Sequence, residues 1–132
     1  MSNNYTVTVQ TDSYGNNAKY IINGNSSLSI TLNPGQTYIF NQADSTNLTH
    51  PLSFSLSQSN LSQVSGITRY GTTGQSGSYV SYSVPSDINN NQIYIYCTVH
   101  GVNMGSYYNP ISMSQSTPEP TPEPTPEPTP EP

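Results

Sequence analysis

The chain predicts an all-β fold, a sandwich or barrel of short strands, followed by a proline-rich tail. Three observations lead there. Tyr, Thr, Ser, Val and Ile dominate, with Asn, Gly and Pro between them, which is strand composition punctuated by turns. Apolar residues alternate with polar ones in several segments, the pattern of sheets with one buried face. No long stretch carries apolar residues at three- and four-residue spacing, so helices have no support.

In chain order, strand composition places strands at Tyr5–Gln10 and Lys19–Asn23. "NGN" at Asn23–Asn25 fits a tight hairpin. Ser27–Leu32 follows, where Leu28, Ile30 and Leu32 point one way. "NPGQT" (Asn33–Thr37) has Pro-Gly at the centre of a type II turn and leads into Thr37–Asn41. In Pro51–Ser57, Leu52, Phe54 and Leu56 share a face, and a shorter strand is expected at Ile67–Tyr70. In Ser78–Val84, Tyr79, Ser81 and Ser83 oppose Val80, Tyr82 and Val84. Gln92–Cys97 and Gly105–Ser112 complete the set. Many short strands at such spacing indicate a sandwich or barrel.

Residues 1–116 therefore read as one domain and 117–132 as a separate object. The last sixteen residues are four copies of TPEP, which hold four of the seven acidic residues and eight of the twelve prolines. Proline at every second position fixes φ and removes amide donors. The tail is expected as an extended polyproline-type spacer or as a plain disordered tail. Without it, three aspartates face Lys19 and Arg69, so the net charge of -5 is mostly a property of the tail.

A basic patch is absent, which leaves nucleic-acid binding without its phosphate-neutralising term. No run of 18 apolar residues exists, so no membrane span is expected. The opening "MSNNYTVTVQ" does not read as a Sec-type signal peptide. The chain then stays where it is made, leaves by another route, or begins after a removed leader. One cysteine excludes an internal disulfide, so the domain stands on its own core.

The chemistry is concentrated in "YIYCTVHGVNMG" (Tyr94–Gly105), where Cys97, His100 and Met104 fall within eight positions. A thiolate, an imidazole and a thioether form a soft ligand set that favours copper over magnesium or calcium. Structural zinc sites need four Cys or His ligands, and the chain has three such residues. Two His, one Cys and a weak axial Met make the blue-copper pattern. The second imidazole is then His50, in "NLTHPLSFSL", the one other histidine of the chain. If the strand that starts at Pro51 lies near the one that ends at Cys97, all four donors converge at one end of the sandwich.

Each residue also has an ordinary reading. A lone Cys is often a small buried hydrophobe, a loop His is usually solvated, and a Met near a strand start is usually core. A Cys–His nucleophile is a further alternative, with Asn47 or Asn103 as the orienting group by type. Nothing resembles a nucleophile elbow, paired carboxylates are missing from the body, and phosphate-loop motifs are absent, so no enzyme is expected. Four Asn-x-Ser/Thr triplets at Asn4, Asn25, Asn47 and Asn60 are expected by chance in a chain so rich in Asn and Ser. Tyr94 and Tyr96 lie opposite Ile93, Ile95 and Cys97 on their strand, where packing explains them before electron relay does.

"IYIYCTVHGVNMG" together with "TNLTHPLSFSL" resembles the cupredoxin family of small blue copper proteins, and closest to its plastocyanin-like modules. "GQTYIFNQAD" is similar to the stretch that precedes the first ligand in that family, and the likeness runs from about Tyr5 to Ser114. The resemblance implies an eight-stranded Greek-key β-sandwich. It implies one copper ion per chain, cycling between Cu(I) and Cu(II), with His50, Cys97 and His100 as equatorial ligands and Met104 as the weak axial one. It also implies a redox protein partner that docks near His100, with Val99, Val102 and Pro51 as a candidate apolar rim. Familiar members carry Asn where Pro51 stands, with a backbone N–H that donates to the cysteine sulfur. Proline has no N–H, so one sulfur hydrogen bond is expected to be missing and the potential to be low for such sites.

The alternative class is a structural or adhesive surface module, as found in virions, mounted on the Pro-Glu stalk with a structural or vestigial site. A copper-storage or delivery role is a third. The domain is expected as a monomer or as a module of a larger assembly. Its location is open, with an extracellular or virion surface belonging to the alternative class.

Overall fold

The computed structural model describes residues 3–114. The TPEP tail and the expected boundary after residue 116 lie outside those residues. Nine strands form among the described residues: β1 (Asn4–Gln10), β2 (Lys19–Ile22), β3 (Thr31–Leu32), β4 (Thr37–Asn41), β5 (Leu52–Ser55), β6 (Ile67–Tyr70), β7 (Tyr79–Ser83), β8 (Gln92–Cys97) and β9 (Ile111–Met113). Two 3-10 turns, Ser45–Asn47 and Val102–Gly105, lie between them. Among the described residues there is no α-helix, and none is long and apolar enough to cross a membrane.

The strands make two sheets, in the orders β2-β1-β4-β7-β6 and β3-β9-β8-β5. Both are mixed, because β1 pairs with β4 in parallel and β3 with β9 in parallel while the other pairs are antiparallel. The alternation that predicted strands also sets which side faces inward. In β7, Val80 and Tyr82 are buried while Ser83 is exposed. Tyr20, Phe40 and Tyr82 from one sheet and Leu52, Phe54, Ile93 and Ile95 from the other join in one buried cluster, which makes an all-β sandwich. Phe54 stacks on Tyr82 at 5.2 Å and tilts against Phe40 at 5.1 Å, so aromatic contacts tie the two layers. Burial of each such ring stabilises by about 1.5–3 kcal/mol. Tyr82 is fully buried and its hydroxyl has no hydrogen-bond partner among the described residues, so burial pushes its pKa up to about 12.

Four expectations are corrected. The strand expected at Ser27–Leu32 shrinks to Thr31–Leu32. Its first residues are spent on a turn, where Ser27 N–H donates to Asn25 Oδ1 at 2.8 Å and Leu28 N–H to Asn25 O at 3.3 Å. The Asn23–Asn25 turn forms, but the strands on either side of it enter different sheets, so it is a crossing and not a hairpin. Leu56 leaves the face of Leu52 and Phe54 and is exposed. There Ser55 Oγ donates to Ser57 O and accepts from Ser57 and Ser62 N–H, and these local bonds end the ladder. The strand expected from Gly105 begins only at Ile111. A 3-10 turn and a cis Asn109–Pro110 bond come first, and the Asn109 amide takes the strand's place by bonding both Ile95 N–H (2.8 Å) and Ile95 O (2.9 Å).

The Asn33–Gln36 turn keeps its expected form, with Gln36 N–H donating to Asn33 O at 3.2 Å across Pro34-Gly35. Strand β5 is buried on both sides, including Ser53 and Ser55. Its second side is covered by the segment that follows, where Ser53 Oγ donates to Gln63 Oε1 at 2.8 Å and Val64 N–H to Phe54 O at 3.0 Å.

Candidate metal centre

The β5–β8 register places Leu52 opposite Cys97, so His50 and Pro51 cross the end of the sandwich beside the cysteine. Thr98 N–H donates to Pro51 O at 3.0 Å and fastens the two loops together. The loops therefore meet at one end, as the sequence required for a shared site.

Cys97 and Gly101 close a narrow loop by exchanging both backbone bonds, at 3.1 and 2.8 Å. Gly101 sits at φ 90, a conformation that favours glycine, and this reversal carries His100 back over the cysteine. On the other side, Thr49 holds φ 67, which is uncommon for a β-branched residue. Such strain persists where the surroundings over-determine it. Here His50 N–H donates to Asn47 O at 2.7 Å, and His50 O accepts from Tyr20 OH at 2.7 Å and from Gln42 Nε2 at 2.8 Å.

The result is a converged donor set of His50, Cys97 and His100, which can hold a metal ion. His50 Nδ1 lies 3.1 Å from His100 Nδ1, and Cys97 Sγ lies 3.9 and 3.5 Å from them. A triangle with those sides has a centre about 2.0 Å from each corner, close to metal–nitrogen distances of ~2.0–2.1 Å and slightly short of a metal–sulfur distance of ~2.3 Å. Cys97 is buried, His50 half-buried and His100 exposed. Met104 is buried on the following 3-10 turn and lines, with His100, Asn103 and Lys19, an open cavity of about 170 Å³.

Gln42 is the residue that sequence reasoning missed. It is fully buried, and its side chain makes three bonds: Nε2 to His50 O and to Asn47 Oδ1 (3.1 Å), and Oε1 from Leu52 N–H (3.0 Å). Asn47, also fully buried, donates in turn to Val7 O at 2.7 Å. These two amides grip the backbone on both sides of His50 and Pro51. The signal was available, because Tyr38 and Phe40 alternate inward along β4 and Gln42 is the next inward position. A polar residue there needs partners. Asn47's amide is taken up by this scaffold. The Asn103 carbonyl accepts from Lys19 Nζ at 2.9 Å.

Cys97 Sγ lies within hydrogen-bonding range of both imidazole nitrogens, and the Tyr20 hydroxyl interacts with it as well. Burial, with Cys97 adding to it, pushes the Tyr20 hydroxyl well above the ordinary phenol value, so it stays a donor to His50 O. Desolvation first, and the neighbouring His100 second, hold the His50 imidazole below its ordinary value of 6.5. It therefore stays neutral, and able to ligate, to lower pH than a free histidine. In the unfolded chain it protonates first, so the His50 contribution to metal-free stability is fully present above pH 6.5 and is lost as pH falls through the lower folded value. Urea midpoints of the metal-free protein are expected to be level from pH 8 to about 6.5 and to drop below that. A midpoint that rises on acidification across this range would contradict the lowered His50 value.

Of the candidate rim, Val99 is 63% exposed, while Val102 and Pro51 are half-buried. Leu48 is exposed in the loop before His50. Tyr96 is buried and Tyr94 half-buried, so packing accounts for Tyr96. Comparison with family models, with curated proteins and with solved structures finds no match to this chain.

Proposed function

We propose that the domain is a cupredoxin-like electron-transfer module that binds one copper ion through His50, Cys97 and His100, with Met104 as a weak axial ligand. The observation that carries this is the triangle of two imidazole nitrogens and one thiol, with sides of 3.1, 3.5 and 3.9 Å. A soft trigonal set of two His and one Cys suits copper, and a buried methionine on the next turn is in keeping with an axial thioether. The mixed two-sheet sandwich, with a parallel pair in each sheet, supports the Greek-key cupredoxin reading of the fold.

Bound copper would supply the Cu(I)/Cu(II) couple. The chain's own residues would do the rest. Cys97 binds as the thiolate. Gln42, Asn47 and Tyr20 hold the His50 backbone, so the site needs little rearrangement when the ion changes charge. His100 is exposed, with Val99 beside it, and is the natural point of contact for a redox protein partner.

The test is a visible spectrum during titration with Cu(II), beside Cys97→Ala and His50→Ala. The expected result is a strong thiolate-to-copper band near ~600 nm that is lost in both variants. A wild type that stays colourless and binds no copper tightly would overturn the proposal and favour a structural surface module instead.

A further inference from the structure

The body of this domain carries two basic side chains, and one of them points inward. Along β6, Ile67 and Arg69 are half-buried while Thr68 and Tyr70 are exposed, so Arg69 faces the core, opposite the buried Val80 of β7. Strand β6 is the edge of the five-stranded sheet and β5 the edge of the four-stranded one. Arg69 spans the gap between them and donates from Nη2 to Leu52 O at 2.8 Å. Leu52 is the residue paired with Cys97. The guanidinium thus sits one strand away from the thiol, and its Nη1 is buried with no hydrogen-bond partner among the described residues.

As an inter-sheet tie, this is a costly choice. One neutral-acceptor bond holds a partly buried cation whose other terminal nitrogen has lost water without gaining a partner. A neutral side chain would fill the same space. Among the described residues no carboxylate is bonded to it; Asp12 and Asp44, for example, bond within their own turns. Burial opposes the charge of Arg69 and is the largest influence on it.

We propose that Arg69 is the charge-selective residue of the His50–Cys97–His100 site and biases it toward a monovalent ion over a divalent one. This rests on the metal reading above and deepens it. A fixed positive charge repels an incoming dication twice as strongly as a monocation at the same place. Partial burial limits the screening that would erase this at the surface. For copper, the same charge favours Cu(I) over Cu(II). It therefore acts against the low potential expected from the missing Pro51 N–H donor. Arg69 touches no ligand atom in hydrogen-bonding range, so it is a positioning residue that acts through its field.

The experiment measures the affinities of the metal-free protein for Ag(I) and for Zn(II), neither of which changes oxidation state at the thiol. Wild type is compared with Arg69→Met, with Arg69→Gln, which keeps a donor for Leu52 O, and with Arg69→Lys, which keeps the charge. Both neutral variants are expected to shift the Zn(II)-to-Ag(I) affinity ratio toward zinc by roughly tenfold, and Arg69→Lys to restore most of the wild-type ratio. Either neutral variant suffices if the other does not fold. A ratio unchanged in the neutral variants, with both ions bound, would leave Arg69 a structural tie and overturn this inference alone. Lower thermal stability with an unchanged ratio means the same. A wild type that binds neither ion would overturn the metal reading and this inference with it.

Discussion

Gln42→Leu is expected to destabilise the metal-free domain by about 2–6 kcal/mol and to weaken metal binding as well. Leucine has nearly the same volume, so no large cavity opens. What is lost is the polar grip. Leu52 N–H loses its acceptor and Asn47 Oδ1 its donor, and both belong to buried residues. Each buried group left unpaired costs about 1–3 kcal/mol. His50 O keeps the Tyr20 hydroxyl, so the ligand loop is loosened but not released. Against a typical total stability of about 5–15 kcal/mol, this is a large fraction. Urea denaturation of the metal-free variant and a metal titration above the transition would check both parts. An unchanged urea midpoint with unchanged affinity would show that the Gln42–Asn47 pair is dispensable.

Gly105→Ala is expected to be comparably severe for a different reason. Gly105 closes the 3-10 turn that carries Met104, and that turn lies directly on β8. A Cβ there would fall on Ile95 Cγ2 and on Ile95 O, well inside contact distance, with Asn109 Nδ2 at 3.0 Å. Ile95 is fully buried and its backbone is clamped by the Asn109 amide, so neither neighbour can yield cheaply. Overpacking of this kind costs about 1–3 kcal/mol, occasionally more. The turn has to lift off β8, and Met104 moves with it. A lower melting temperature is expected and, on the copper-binding function proposed above, a changed copper spectrum in whatever fraction remains folded. Normal stability with an unaltered spectrum would mean that the turn tolerates displacement and that Met104's place is not set by this contact.

Particular residues show how much could be read in advance. The inward positions of Leu52, Phe54, Val80, Tyr82, Ile93 and Ile95 follow from alternation, because a side-chain period of two is a local property of extended chain. The Pro34-Gly35 turn is equally local. The short form of β3, the exposure of Leu56 and the delayed start of β9 were not legible. Each depends on side chains such as Asn25, Ser55 and Asn109 that bond nearby backbone in place of a neighbouring strand. Gln42 shows the same limit from the other side. Its inward position was readable, but its partners are backbone groups ten and eight residues away that only the folded loop supplies.

By itself, the sequence determined the class of fold and the kind of chemistry. Strand composition with alternation allows little else, and His50, Cys97, His100 and Met104 are a soft donor set whatever their arrangement. Whether those donors meet was decided by tertiary structure. His50 and Cys97 are 47 positions apart, and it is the Leu52–Cys97 register, the Cys97–Gly101 reversal and the Gln42 clamp that bring them within 3.9 Å. The nearby charge was likewise invisible before folding. Arg69 is a lone cation in an exposed-looking strand until β6 and β5 become facing edges, and only then does its guanidinium come to rest beside the residue that pairs with the thiol. Residue types carry chemical potential locally, whereas distance and dielectric surroundings are set by contacts between segments far apart in the chain.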